Sequence, residues 1–249
     1  MSTVTESIHY LKEQDWIDLT HTVTAEMPYF QAFKPITEKT LYTVRDDGFF
    51  AKEYTLATQY GTHIDAPVHF SEGKKPLEEL ELKDFILPMF VIHKEKEVEI
   101  NHDYMLSVED ILTFEREYGQ IPAKSFVAFS SDWSKRWSNP TDYYNLDEAG
   151  QAHTPGWSVE ALKFLHEKRD ITAVGHETLD TDPAIEETRN GHLLAELYWL
   201  SQDKYQIEVM NNLAEVPAKG AAIVVGAPKI KAAPGFNIRA FAIVGKEDE

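Results

Sequence analysis

Phe85 to His93 (FILPMFVIH) sets apolar side chains on successive positions, where a half-solvated strand would alternate with polar ones. A strand of that kind is buried on both faces, so its sheet must be covered by other layers. Pro88 counts against a regular central strand, because proline cannot donate to a ladder. The flanking segments indicate what surrounds it. WIDLTHTV (Trp16 to Val23) alternates at period 2 and stops at Pro28. The β-type runs LYTV and FFAKEYTLAT are separated by the turn signal Asp46-Asp47-Gly48. SFVAFSSDW and ITAVG add strands, and YQIEVM, AAIVVGA and FNIRAFAIV are the last three.

Helical signals come later. Ser107-Val108-Glu109-Asp110 has the form of a capping box with Asp in place of Glu or Gln, and Gly119 is the stop. Ser158 caps a second helix, Asp182-Pro183 starts a third as N-cap plus proline at the first position, and HLLAELYWL (His192 to Leu200) reads as a buried helix. A strand-rich front followed by alternating strands and helices predicts a mixed α/β fold. No repeat, low-complexity tract or Gly/Ser-rich linker breaks the 249 residues, which predicts a single domain over 1–249.

With 24 Lys and Arg against 42 Asp and Glu, the net charge is −18, which opposes binding to nucleic acid or an anionic membrane. The chain has no cysteine, so disulfides, thiolate nucleophiles and Cys-zinc sites are excluded. Any metal must be held by histidine, carboxylate or amide oxygen. The first residues lack a basic, then apolar, leader pattern, and no apolar run nears the ~20 residues of a membrane span; the expectation is a soluble cytoplasmic protein.

The chemistry concentrates in Gln59-Tyr60-Gly61-Thr62-His63-Ile64-Asp65-Ala66-Pro67-Val68-His69-Phe70. Gln59, His63, Asp65 and His69 are all odd-numbered, so on an extended backbone they project to one side. His63 and Asp65 then lie about 7 Å apart along the strand, a separation from which two side chains converge on one ion. Spacing alone leaves a metal site and ordinary hydrogen-bonding roles at even weight.

This segment resembles the His-x-Gly-Thr-His-x-Asp-x-Pro-x-His signature of the cyclase-like metal-dependent hydrolase family, matching at Gly61, Thr62, His63, Asp65, Pro67 and His69. The likeness continues at Asp18-Leu19-Thr20, at Met27-Pro28, through Gly175 to Asp182, and over the last forty or so residues. The resemblance implies a swivelling β/β/α fold, a homodimer or homotetramer, and hydrolysis of an amide, lactam or lactone with bound zinc or manganese. It carries His63 and Asp65 over as metal ligands and His69 as the acid/base. Gln59 stands where the family has histidine. Its amide oxygen is a harder donor, which tilts a metal held by Gln59, His63 and Asp65 away from zinc and towards manganese, magnesium or iron.

In formamidases of the family the motif Asp bridges to a later His and Glu. Here His192 is the candidate His, but the Glu position falls on Asn211, and strand parity aims Glu208 elsewhere. That counts against a second tightly held metal and leaves His192 as a ligand, a substrate contact or an ordinary helix-start histidine. His176 and Glu177, at the end of ITAVG, are read equally as functional or structural. His93, His102, His153 and His166 are taken as ordinary. The aromatic residues Trp133, Trp137, Tyr143, Tyr144, Trp157, Tyr198 and Trp199 either line a pocket or, more commonly, form core or interface.

The reading is thus a hydrolase acting on a small molecule by a metal-activated water. Two rivals are kept. One is a non-haem iron oxygenase built from His63, Asp65 and a distant histidine, although no Arg follows His192 until Arg239. The other is a non-catalytic metal- or ligand-binding protein on the same scaffold.

Overall fold

A computed structural model describes residues 3–246. Thirteen strands occur among them: β1 (Asp15–Asp18), β2 (Thr37–Tyr42), β3 (Ala51–Thr55), β4 (His63–Asp65), β5 (Ile86–His93), β6 (Met105–Leu106), β7 (Phe126–Ser130), β8 (Gly156–Trp157), β9 (Ala173–His176), β10 (Tyr205–Glu208), β11 (Ala221–Gly226), β12 (Gly235–Asn237) and β13 (Arg239–Val244). Nine make one sheet in the order β1-β13-β11-β5-β7-β9-β10-β4-β12. Its middle, β5-β7-β9-β10, is parallel, and both flanks are antiparallel. The fold is mixed α/β, as the sequence predicts.

The alternation along β7 shows how the sheet is covered. Phe126 and Ala128 enter one core with Leu87, Met89, Val91, Ile207 and Ile223. Val127 and Phe129 enter a second with Ile111 and Phe114 of helix Val108–Tyr118, Leu162 and Leu165 of helix Val159–Arg169, and Trp199 of helix Leu194–Ser201. Each fully buried side chain of this size contributes roughly 1.5–3 kcal/mol of transfer free energy, so both faces are anchored. β5 meets the two-faced expectation only in its second half. Ile86 is 63% exposed, and pairing with β7 begins at Met89. Pro88 therefore faces β11 alone, opposite Ala222, where one side of the strand needs no donor.

The local caps form as read. Ser107 and Asp110 bond each other's backbone N–H at 3.3 and 2.8 Å, and Ser158 Oγ accepts from Ala161 N at 3.0 Å. Four expectations need correction. Asp182 does not cap the adjacent helix Ala184–Asn190, whose N-cap is Pro183; its carboxylate instead accepts from Ala195 N (2.8 Å) and Glu196 N (3.0 Å) and caps helix Leu194–Ser201. That helix is buried on one side only, with Leu197 41% exposed. The run from Trp16 leaves β1 after Asp18, where the Thr20 hydroxyl bonds Ala240 N and O and Thr20 forms an isolated bridge with Met210. The turn between β2 and β3 includes a short helix, Val44–Asp47, ended by Gly48 at φ 81°. These two strands form a ribbon outside the main sheet.

β4 is the short strand on which the site depends, and β10 and β12 clasp it from either side. The final sequence run divides at Ile238, whose N–H bonds Thr62 O at 3.1 Å and sets β12 beside β4. Gly235 permits this approach: a Cβ there would meet Ile64 O at 2.2 Å and Gln59 Nε2 at 2.9 Å. No helix among the described residues is long and apolar enough to cross a membrane.

Candidate metal centre

His63 and Asp65 project from one face of β4, and both are buried, at 2% and 0% exposure. His63 Nδ1 lies 2.8 Å from Gly61 O, which makes Nδ1 the donor and turns Nε2 inward. Gly61, at φ 56°, supplies the left-handed turn that presents this carbonyl. Nε2 faces Asp65 Oδ2 at 3.5 Å and Glu208 Oε2 at 3.4 Å, yet it is buried without a hydrogen-bond partner.

The four motif residues converge, but not on one extended ribbon. Only His63 and Asp65 share a strand. Gln59 arrives through the Gly61 turn, and His69 ends the 3₁₀ turn Pro67–His69, with Nε2 3.9 Å from Asp65 Oδ1. Gln59, His63 and His69 line one cavity of about 240 Å³, walled by Phe30, Phe33, Phe70 and Leu179. Gln59 turns its amide nitrogen to Asp65 Oδ1 (3.4 Å) and its oxygen to the Thr58 hydroxyl, so a ligand role requires the amide to turn over.

Three residues outside the motif complete the cluster. Glu208 pairs across from His63 in the β4–β10 register and enters the site, contrary to the parity expectation. The count from Asn211 fails because Val209, at φ 55°, takes a left-handed conformation that breaks the period of two. Asn211 is carried away, its N–H bonding Leu19 O. Glu196, 2% exposed, comes from the helix that Asp182 caps. Gln206 Nε2 sits 3.3 Å from Asp65, 3.0 Å from Glu196 and 2.9 Å from Glu208. An amide has two N–H donors, so three carboxylates compete for them. Thr181 Oγ1 lies 2.9 Å from Gln206 Oε1 and 3.2 Å from Glu208 Oε1.

His192 is exposed just before the helix, and Glu196 occupies the site that His192 was expected to reach. His192 is therefore not available as the third residue of an oxygenase triad. The signal missed in the sequence was a single carboxylate inside an apolar helix, since a buried charge calls for a partner. His176 does reach the cluster's edge, with Nε2 3.3 Å from Glu208 Oε1. Glu177 is structural: its carboxylate accepts from Ser131 N and Oγ, Trp133 N and Ser134 Oγ at 2.8–3.0 Å.

The electrostatics call for a cation. Burial works against a charged His63, but Asp65 and Glu208 outweigh it and hold the imidazole well above its ordinary value. Burial likewise opposes ionised Asp65, yet His63, then His69 and the Gln206 amide, keep its carboxyl below the usual range. For Glu196 and Asp180 the balance runs the other way. Burial first, then Glu208 and the neighbouring carboxylates, push both well above the usual range. The donors fall into two overlapping groups, His63-Asp65-Glu208 and Asp65-His69-Glu196, each with ligand atoms within 4.8 Å of one another. An orphaned imidazole nitrogen, aimed at carboxylates that lack enough donors, fits a divalent ion held mainly by oxygen.

Comparison with known proteins identifies the family and the fold. Residues 17–183 match the model of the Cyclase family, described as "Putative cyclase". Isatin hydrolase of Roseibium aggregatum is 32% identical over 211 residues, 81% of this chain and 78% of that one. Kynurenine formamidase of Bordetella pertussis is 30% identical over 176 residues, 70% of this chain and 74% of that one. The solved structure of isatin hydrolase A from Labrenzia aggregata, bound to benzyl benzoate, superposes with a TM-score of 0.91 at 28% identity, covering 98% of this chain and all of that one.

Proposed function

The chain belongs to the cyclase family, and from that premise we propose that it is a metal-dependent hydrolase opening a cyclic amide or related carbonyl bond, with an isatin-type lactam as the first substrate to test. The observation that carries this reading is His63 Nε2, buried, unpartnered and directed at Asp65 and Glu208 beside an aromatic-walled cavity. The catalytic unit is read as one domain over 1–249, since a single sheet draws its strands from Asp15 through to Val244.

His63, Asp65 and Glu208 would hold the ion, with Gln59 as a further donor if its amide turns over. When bound, a divalent ion supplies the Lewis acidity that polarises a carbonyl and acidifies water. Gln206 and Thr181 hold the carboxylates in register. His69, half-buried at the cavity wall, takes a proton from the attacking water as its oxygen bonds the carbonyl carbon. The C–N or C–O bond then breaks, and the imidazole returns that proton to the leaving nitrogen or oxygen. The products are a carboxylic acid and an amine or alcohol. Phe30, Phe33, Phe70 and Leu179 exclude bulk water and pack against the substrate's apolar part. An oxygen-rich donor set favours manganese over zinc.

The group Asp65-His69-Glu196 supports a second reading in which His69 is a ligand and Asp65 bridges two ions. Elemental analysis and turnover of isatin by wild type, His63→Ala and His69→Ala separate these. A His69 base predicts one metal per chain, retained in His69→Ala with kcat down ~10²–10⁴-fold. Two metals, with loss in His69→Ala, favour the ligand role. Metal and activity both retained in His63→Ala would overturn the assignment.

Self-association is part of the same reading. The β2–β3 ribbon exposes Val44 (67%), Phe50 (60%) and Tyr54 (53%), and an isolated two-stranded ribbon is marginal in water. A second copy of the chain is the expected cover, and sedimentation analysis tests it.

A further inference from the structure

A second cavity of about 310 Å³ adjoins the metal pocket, larger than it and more apolar in its walls, with Tyr29, Tyr143, Tyr144 and Leu146 among its lining. The two cavities have Phe30, Leu179, Asp180 and Glu187 in common, so they meet along one wall rather than opening on different faces.

Hydrogen bonds hold its roof in place. The Tyr144 hydroxyl accepts from Tyr29 N at 2.9 Å and donates to Tyr29 O at 2.8 Å, which fixes the loop above the chamber. The Tyr29 ring stacks on buried Tyr60 with centroids 5.4 Å apart. Below, the Tyr143 hydroxyl donates to Glu177 O at 2.6 Å. A cavity braced in this way is formed before any ligand arrives, and preorganisation lowers the cost of binding.

Charge limits what can enter. Neither cavity is lined by Lys or Arg, while Asp180 and Glu187 stand on the shared wall. An anionic group in the aromatic chamber would find no lysine or arginine to pair with, in a protein of net charge −18.

Resting on the hydrolase reading above, we propose that the aromatic chamber is a second subsite of the active site. It takes a neutral aryl arm of a two-part substrate whose scissile carbonyl lies in the metal pocket.

The test compares isatin, N-benzylisatin and N-(carboxymethyl)isatin on the manganese-supplemented protein. Wild type is expected to favour the benzyl compound over the carboxymethyl one by at least tenfold in kcat/KM. Ala152 and Ala184 line the chamber, so Ala152→Trp and Ala184→Phe fill it, and each is expected to lower the benzyl-to-isatin ratio at least tenfold. A ratio cancels any general loss of folded enzyme. A ratio unchanged within twofold in both variants, or equal use of the carboxymethyl and benzyl compounds, overturns the subsite while leaving the hydrolase reading intact. If wild type hydrolyses none of the three, the hydrolase reading fails instead. Calorimetric titration of the same compounds then decides the subsite alone: tighter binding of N-benzylisatin than isatin, abolished by Ala152→Trp, sustains it, and equal binding overturns it.

Discussion

Replacing Glu196 by Gln is expected to make the metal-free protein more stable, although it alters a buried residue of the site. Glu196 has no cationic partner. Its burial, followed by the charges of Glu208, Asp65, Asp180 and Asp182, raises its carboxyl well above the ordinary range. Its ligand atom lies within 4.8 Å of those of Asp65 and His69. At the 4.8 Å limit of that spacing and an effective dielectric of about 20, two like charges would repel by about 3.5 kcal/mol, which the group avoids by taking up a proton. The amide keeps the size and one acceptor for Gln206. A gain of roughly 1–3 kcal/mol near neutral pH follows, worth about 2–4 °C in melting temperature per kcal/mol for a chain of this length. The sign fixes the pH dependence. A carboxyl whose folded value is raised costs nothing below its unfolded value and costs stability progressively as pH rises towards the folded one. The variant's advantage should therefore vanish near pH 4 and grow to pH 8. Urea unfolding of both proteins in EDTA across that range measures it. A variant less stable than wild type at pH 8, or a difference flat with pH, would refute the electrostatic account.

Other expectations concern the supports of the site. Asp182→Ala removes two charged caps from the helix that carries Glu196 and should cost ~1–3 kcal/mol in chemical unfolding, with lower kcat as Glu196 shifts. Gly235→Ala drives a methyl group to 2.2 Å from Ile64 O and 3.0 Å from Asp65 Oδ1; a loss above ~2 kcal/mol is expected, and a wild-type melting temperature would contradict it. His21 is buried and stacked on Trp137 at 4.3 Å, and burial lowers it to about 4. Its neutral form is favoured in the fold, so stability is lost as pH falls from about 6.5 to about 4, by at most ~3 kcal/mol. His21→Phe should flatten that acid limb in melting curves taken at fixed ionic strength.

What the sequence discloses is what is local. The caps at Ser107 and Ser158 form between residues three apart, and the β7 run carries its two-faced burial in its own composition. His63 and Asp65 are legible because parity within a three-residue strand survives the fold. Glu208 is lost to the same rule, since Val209 breaks the alternation between it and Asn211. Asp182 misleads because its carboxylate caps a helix twelve or more residues ahead instead of the one beside it, which only tertiary contact decides. Glu196 is hidden by its apolar neighbours, and His192 attracts attention that belongs one helical turn later.

The clasp on β4 has a consequence for how the protein matures. Asp65 meets Gln206 across 141 residues of chain, and β12 closes the other side later still. During synthesis the His63–Asp65 segment leaves the ribosome long before either neighbour exists, so tight ion capture waits for nearly the whole polypeptide. Metal uptake then reports completed assembly rather than guiding its early steps, and truncation anywhere before Tyr205 should leave a chain unable to retain its ion.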